Sequence, residues 1–147
     1  MKCLFARLSL FFTIAVATVG VALANDALNP LIAERWKTRP LVIVVPSVND
    51  PALHSLRQAL ESTSNREAFV ERDMVLYAIV AGVGSRNDQP LTPDQTSALI
   101  NALNVDAHGP AKVILIGKDG GKKVERGGPV KLAEFFVIID AMPMRQN

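Results

Sequence analysis

The sequence predicts an α/β sandwich of three layers, with helices on both faces of one sheet. Three observations carry this expectation. Leu41-Val42-Ile43-Val44-Val45 is an unbroken aliphatic run, which suits a strand buried on both sides. Asp50-Pro51 and Thr92-Pro93 each put a capping side chain before a proline at the first helical position, where the missing N–H costs nothing. Lys118-Asp119-Gly120-Gly121 separates two later strand-like segments with the residues that a tight hairpin needs.

Taken in order, Asn25 to Lys37 predicts a short helix, because Leu28, Leu31, Ile32 and Trp36 recur at spacings of three and four. Arg39-Pro40 stops it, since the residue before a proline is pushed away from helical angles. The strand Leu41 to Val45 follows and ends at Pro46. The helix capped by Asp50 carries Leu53, Leu56 and Leu60 on one face, is interrupted at Ser62-Thr63-Ser64-Asn65 and resumes from Arg66 to Glu71. Met74 to Val80 is the second apolar strand. Thr92 and Gln95 have the spacing of a capping box, and Leu99, Ala102 and Leu103 stripe the helix they open. Lys112 to Ile116 and Lys122 to Arg126 are the third and fourth strands. Leu132, Phe135, Phe136 and Ile139 give the last helix one apolar face, and Met142-Pro143 ends it. The order α-β-α-β-α-β-β-α is two βα crossovers, a hairpin and a closing helix. That is the order of a thioredoxin-like three-layer sandwich.

The N-terminus reads as a leader. A short basic start, Met1 to Arg7, precedes the apolar run Leu8 to Ala24, and Ala22-Leu23-Ala24 is a small-x-small cleavage site. The expected organisation is a signal peptide over residues 1–24 and one domain over residues 25–147, placing the protein in the periplasm or outside the cell. The alternative is an uncleaved anchor, because 17 apolar residues are long for a signal and short for a span. Cys3 lies too far from the cleavage point to carry the lipid of a lipoprotein. With Lys2 and Arg7 removed from 16 basic residues, 14 remain against 14 acidic ones. That balance argues against a nucleic-acid binder. Cys3 is the single cysteine, so residues 25–147 have none, which excludes disulfides, thiol redox chemistry and cysteine-bound zinc there. No other segment approaches the apolar length of a membrane span.

Three motifs carry a resemblance. Trp36-Lys37-Thr38-Arg39-Pro40-Leu41, Leu115-Ile116-Gly117-Lys118-Asp119-Gly120-Gly121 and Ile139-Asp140-Ala141-Met142-Pro143-Met144-Arg145 resemble the P-DUDES family. This is a thioredoxin-like domain of unknown function in exported bacterial proteins, with related copies in extracellular sushi-repeat and coiled-coil-containing proteins. The likeness runs from about Leu28 to Arg145. It implies a fold and an exported compartment, but no catalytic residues.

A redox thioredoxin keeps its cysteines just after the first core strand. Here that stretch is Pro46-Ser47-Val48-Asn49-Asp50-Pro51, a vestigial position with no thiolate. Pro110, in His108-Gly109-Pro110, stands where thioredoxins place a cis-proline, though an ordinary trans proline fits the spacing equally. Ser47 becomes a nucleophile only beside a base, and His54 is the nearest candidate. Ser47, Asp50, His54 and His108 therefore define an alternative reading as a cysteine-less envelope enzyme. Two histidines with Asp50 have no diagnostic metal spacing, and the sequence calls for no cofactor. Gly82-Val83-Gly84-Ser85 lacks the third glycine and the lysine of phosphate loops and reads as a flexible connector. Lys118, Lys122, Lys123 and Arg126 are interleaved with Asp119 and Glu125, the pattern of a solvated hairpin. One Trp and one Tyr are too few for an aromatic carbohydrate platform.

The topology also predicts that the three motifs meet at the end of the sheet where the first strand begins. That pole would hold Trp36, Arg39, Lys118, Asp119, Asp140, Met142, Met144 and Arg145. It serves either as structure, through a pair such as Asp140 with Arg39, or as a binding surface for an envelope or extracellular protein or peptide. The expected function is thus a non-catalytic binding module. Mass spectrometry of the exported chain is expected to return residues 25–147, and a mass that includes residues 1–24 identifies a tethered form.

Overall fold

A computed structural model of the chain describes residues 27–143. The elements open where the sequence supplies caps. Asn29 accepts the Leu31 amide at the head of α1 (Pro30–Glu34), and Asp50 accepts the Ala52 amide at the head of α2 (Pro51–Glu61). Ser62 then breaks the chain, and α3 (Thr63–Glu71) turns back so that Asn65 and Arg66 donate to the last carbonyls of α2. α4 (Pro93–Leu103) starts with the complete Thr92–Gln95 capping box. α5 (Leu132–Asp140) buries Leu132, Phe135 and Ile139 at i, i+3 and i+7.

The six strands are β1 (Arg39–Val45), β2 (Met74–Val80), β3 (Val83–Arg86), β4 (Gln89–Pro90), β5 (Lys112–Ile116) and β6 (Lys122–Gly127), in the sheet order β4-β3-β2-β1-β5-β6. β1 and β2 are parallel, with Arg39 beside Met74 and Val45 beside Val80. β5 is antiparallel to β1, with Leu41 beside Leu115, and every other neighbouring pair is antiparallel. Side chains alternate along β1, so two cores form. Leu41, Ile43 and Val45 pack with Leu53, Leu56, Phe69, Phe135 and Ile139 beneath α2, α3 and α5. Val42 and Val44 pack with Leu31, Tyr77, Leu99, Leu103 and Ile114 beneath α1 and α4. Each fully buried aliphatic side chain contributes roughly 1.5–3 kcal/mol relative to exposure. The result is a mixed α/β architecture with five helices among the described residues.

Three expectations are corrected and one open alternative is decided. Gly82–Ser85 is not a loose connector, because Val83–Arg86 pairs with Tyr77–Val80 as β3. Both of its turns, Ala81-Gly82 and Asn87-Asp88, have positive φ at both central residues, as tight hairpins require. Gly84 is needed there, since a Cβ would stand 2.6 Å from the Thr96 hydroxyl of α4. The first helix is shorter than expected: it ends at Glu34, and Trp36 leaves the apolar stripe and is exposed. Ala102 faces solvent, and the buried stripe of α4 is Ala98, Leu99 and Leu103. No peptide bond among the described residues is cis, so Pro110 is trans. Phe135 is 2% exposed, and Phe135→Ala is expected to cost about 3–5 kcal/mol in urea unfolding.

Candidate functional site

Arg39 opens β1 and is buried, a costly place for a charge unless its hydrogen bonds are met. Its Nη1 donates to the Arg72 carbonyl at 2.9 Å and lies 3.6 Å from the Asp73 carboxylate. Asp73, at φ 53°, also accepts from Lys118 Nζ at 2.7 Å. Lys118 belongs to the β5–β6 hairpin, which antiparallel pairing delivers to the same end of the sheet as Arg39. Asp119 caps the turn by accepting the Gly121 amide, and Lys123 binds it at 2.6 Å. The Lys123 ammonium, helped by that amide, holds the Asp119 carboxyl below its ordinary range.

The last turn of α5 reaches this pole as well. Asp140 accepts two bonds from Arg72, at 3.0 and 2.6 Å, and the Arg72 guanidinium lies 4.7 Å from the Phe136 ring centroid. The ion pairs found here include Arg39–Asp73, Lys118–Asp73, Lys123–Asp119 and the two that Arg72 makes with Asp140 and Glu71. Arg39, Gly117, Lys118, Asp119 and Lys123 line a cavity of about 490 Å³ together with Ala141, Met142 and Pro143. Trp36 stands beside it, 67% exposed, with its backbone N–H donating to the Lys118 carbonyl at 2.7 Å. Its φ of 64° is unusual for a bulky residue and costs about 1–2 kcal/mol. Met144 and Arg145 lie outside the described residues.

One residue of this region was not singled out in the sequence. Glu34 is buried and accepts from Tyr77 Oη at 2.8 Å, Arg86 Nε at 2.6 Å and Thr38 Oγ1 at 2.6 Å. Burial works to raise its pKa, but the Arg86, Thr38 and Tyr77 hydrogen bonds prevail and hold it below the ordinary value. Burial and the neighbouring Glu34 push the Tyr77 phenol upward, so it remains a donor. The only sequence signal was a glutamate inside an otherwise apolar helix.

The opposite end of the sheet holds the Ser47–Pro51 turn between β1 and α2. Ser47 Oγ accepts the Asn49 amide at 3.2 Å and Asp50 accepts the Ala52 amide at 2.9 Å, a turn and a cap. His54 lines an open depression with Val48, Asn49, Pro51, Ser55, Gln58 and Pro129. His108 lies instead against Gly82, where a Cβ would stand 3.5 Å from its Cε1. The four residues of the enzymatic reading are thus not gathered in one concavity. Among the described residues, no group of three His, Cys, Asp or Glu is placed to hold a metal.

Residues 30–147 match a family described as a domain of unknown function, DUF4174. The chain belongs to the DUF4174 family. Comparison with curated proteins and with solved structures returned no match. The DUF4174 match takes in both ends of the sheet, and among the described residues no helix is long and apolar enough to cross a membrane.

Because the Glu34 pKa is lowered on folding, its contribution is present above the unfolded value of 4.5 and is lost as pH falls through the folded one. Glu34→Gln is expected to lower stability by about 1–3 kcal/mol at pH 7. In urea titrations that gap should narrow below pH 4.5.

Proposed function

We propose that this DUF4174 chain is an exported, non-catalytic binding domain with a thioredoxin-like core, whose recognition surface is the pole where β1 begins. The observation that carries the reading is convergence. The start of β1, the β5–β6 hairpin and the end of α5 supply the lining of one cavity, with an exposed tryptophan beside it. Aromatic and arginine side chains beside a well-formed concavity are what an interface anchor requires. The β2-β1-β5-β6 portion of the sheet supports the thioredoxin-like core, and β3–β4 is an addition at its edge. The likeness of the Trp36, Leu115 and Ile139 motifs to the P-DUDES family supports the same core and, with the leader-like residues 1–24, supports export. The partner is an envelope or extracellular protein or peptide, and the absence of cysteine from residues 25–147 removes thiol chemistry from the reading.

A photo-crosslinking side chain placed at position 36, in cells that export the protein, is expected to give a discrete adduct. The same group at position 54 is expected to give none. Adducts from position 54 alone, or from neither, overturn the assignment of the pole.

A further inference from the structure

We infer that the face around α1 seats the domain on an anionic lipid surface. The inference goes beyond the recognition reading and does not rest on it. Seven large apolar side chains are exposed among the described residues, and three of them, Leu28, Ile32 and Trp36, fall within nine consecutive positions at α1. The other four are single valines on separate segments, Val48, Val70, Val83 and Val137. An isolated exposed valine is ordinary, whereas a cluster of larger side chains marks a surface that meets something apolar. Ile32 and Arg35 line one groove with Gly120 and Lys122 of the hairpin, and the Trp36 amide is bonded to Lys118 of the same hairpin. The cluster therefore sits where α1 meets the hairpin.

The charges at this face are one-sided. Residues 27–38 hold Glu34, Arg35 and Lys37 ahead of the buried strand. Glu34 is buried against Arg86, while Arg35 and Lys37 are exposed and meet no carboxylate among the described residues. Lys122, across the groove from Ile32, shares Glu125 with Lys112, and no carboxylate lines the groove. The neighbouring ion pairs of Arg39, Arg72, Lys118 and Lys123 with Asp73, Asp140, Asp119 and Glu71 balance one another and leave these cations unmatched. Exposed apolar side chains beside free cations fit the headgroup layer of an anionic bilayer. Aliphatic groups enter the acyl boundary, the cations meet lipid phosphates, and tryptophan settles at the interface between them. The position in the chain agrees. The apolar run Leu8 to Ala24 ends four positions before Leu28. While that run remains in a bilayer, Leu28 is held within about 14 Å of it, the full reach of four residues.

Trp36 is the single tryptophan of the chain, so its emission reports on this face alone. The test titrates the exported chain with vesicles of phosphatidylcholine and with vesicles of equal parts phosphatidylcholine and phosphatidylglycerol. Each cation near an anionic surface is worth about fivefold in binding, so the mixed vesicles are expected to bind at least about tenfold more tightly. They should also move the Trp36 emission to the blue, and added salt should reverse much of the binding. Arg35→Gln combined with Lys37→Gln is expected to abolish the preference for the mixed vesicles. Ile32→Gln should weaken binding to them severalfold. Arg57→Gln, on α2 over the other face of the sheet, should change nothing. All four side chains are exposed, so the urea midpoints of these variants should stay in place. Equal binding to both vesicles, an unmoved Trp36 emission, or an undiminished preference in the Arg35→Gln, Lys37→Gln variant overturns the inference. A protein adduct from position 36 without vesicle binding removes the lipid surface and leaves the recognition surface standing. Vesicle binding without any protein adduct does the reverse and makes Trp36 a lipid anchor. Both together place the partner at the same membrane.

Discussion

Every residue of β1 from Arg39 to Val45 is buried, so the strand exists only where helices cover both its faces and other strands occupy both its edges. The aliphatic part of that demand is met by two ordinary cores. Its first residue is different, because a guanidinium cannot be buried without partners. Arg39 therefore draws in Asp73 and the Arg72 carbonyl, Asp73 holds Lys118, and Arg72 holds Asp140. The charge pattern of the pole is a consequence of starting a buried strand with arginine.

Trp36 is fixed from two directions. On one side, Glu34 anchors the end of α1 to β2 and β3 through Tyr77 and Arg86. On the other, the Trp36 amide is tied to the hairpin. Between these anchors the backbone holds positive φ at Trp36, and the side chain is exposed. A strained, exposed aromatic residue held by a buried network is a feature that packing alone does not ask for.

Much of this was legible in the residues. β1 and β2 read clearly because continuous apolar runs of this length suit a buried strand, and the helices at Pro51 and Pro93 read clearly because Asp50 or Thr92 before proline leaves few alternatives, whereas the helix expected to resume at Arg66 starts at Thr63. The placement of Arg39, the hairpin and Met142 at one end followed from connectivity alone. The β3–β4 hairpin did not, because Gly82-Val83-Gly84-Ser85 has almost no apolar alternation and its turns rely on Ala81 and Asn87-Asp88 in positive φ. Glu34 escaped notice for a related reason: its partners are 4, 43 and 52 residues away, and no local spacing brings a tyrosine and an arginine onto one carboxylate. The Arg72–Asp140 pair was not foreseen, because it joins the residue after α3 to the end of α5 across 68 positions and no local spacing announces it.

The two rims of the sheet are built alike. One is the two-residue strand Gln89–Pro90, whose proline has no amide hydrogen to offer, and the other is β6, whose Lys122, Lys123, Glu125 and Arg126 all face water. A foreign strand finds little purchase on either, since charged side chains and proline both discourage backbone pairing. Many peptide-binding domains read their targets by lending a sheet edge and recognising the main chain, largely indifferent to sequence. This fold has closed that route at both rims. On the proposed reading, recognition is then end-on, through side chains where β1 begins, and selectivity lies in a handful of residues rather than in a length of backbone.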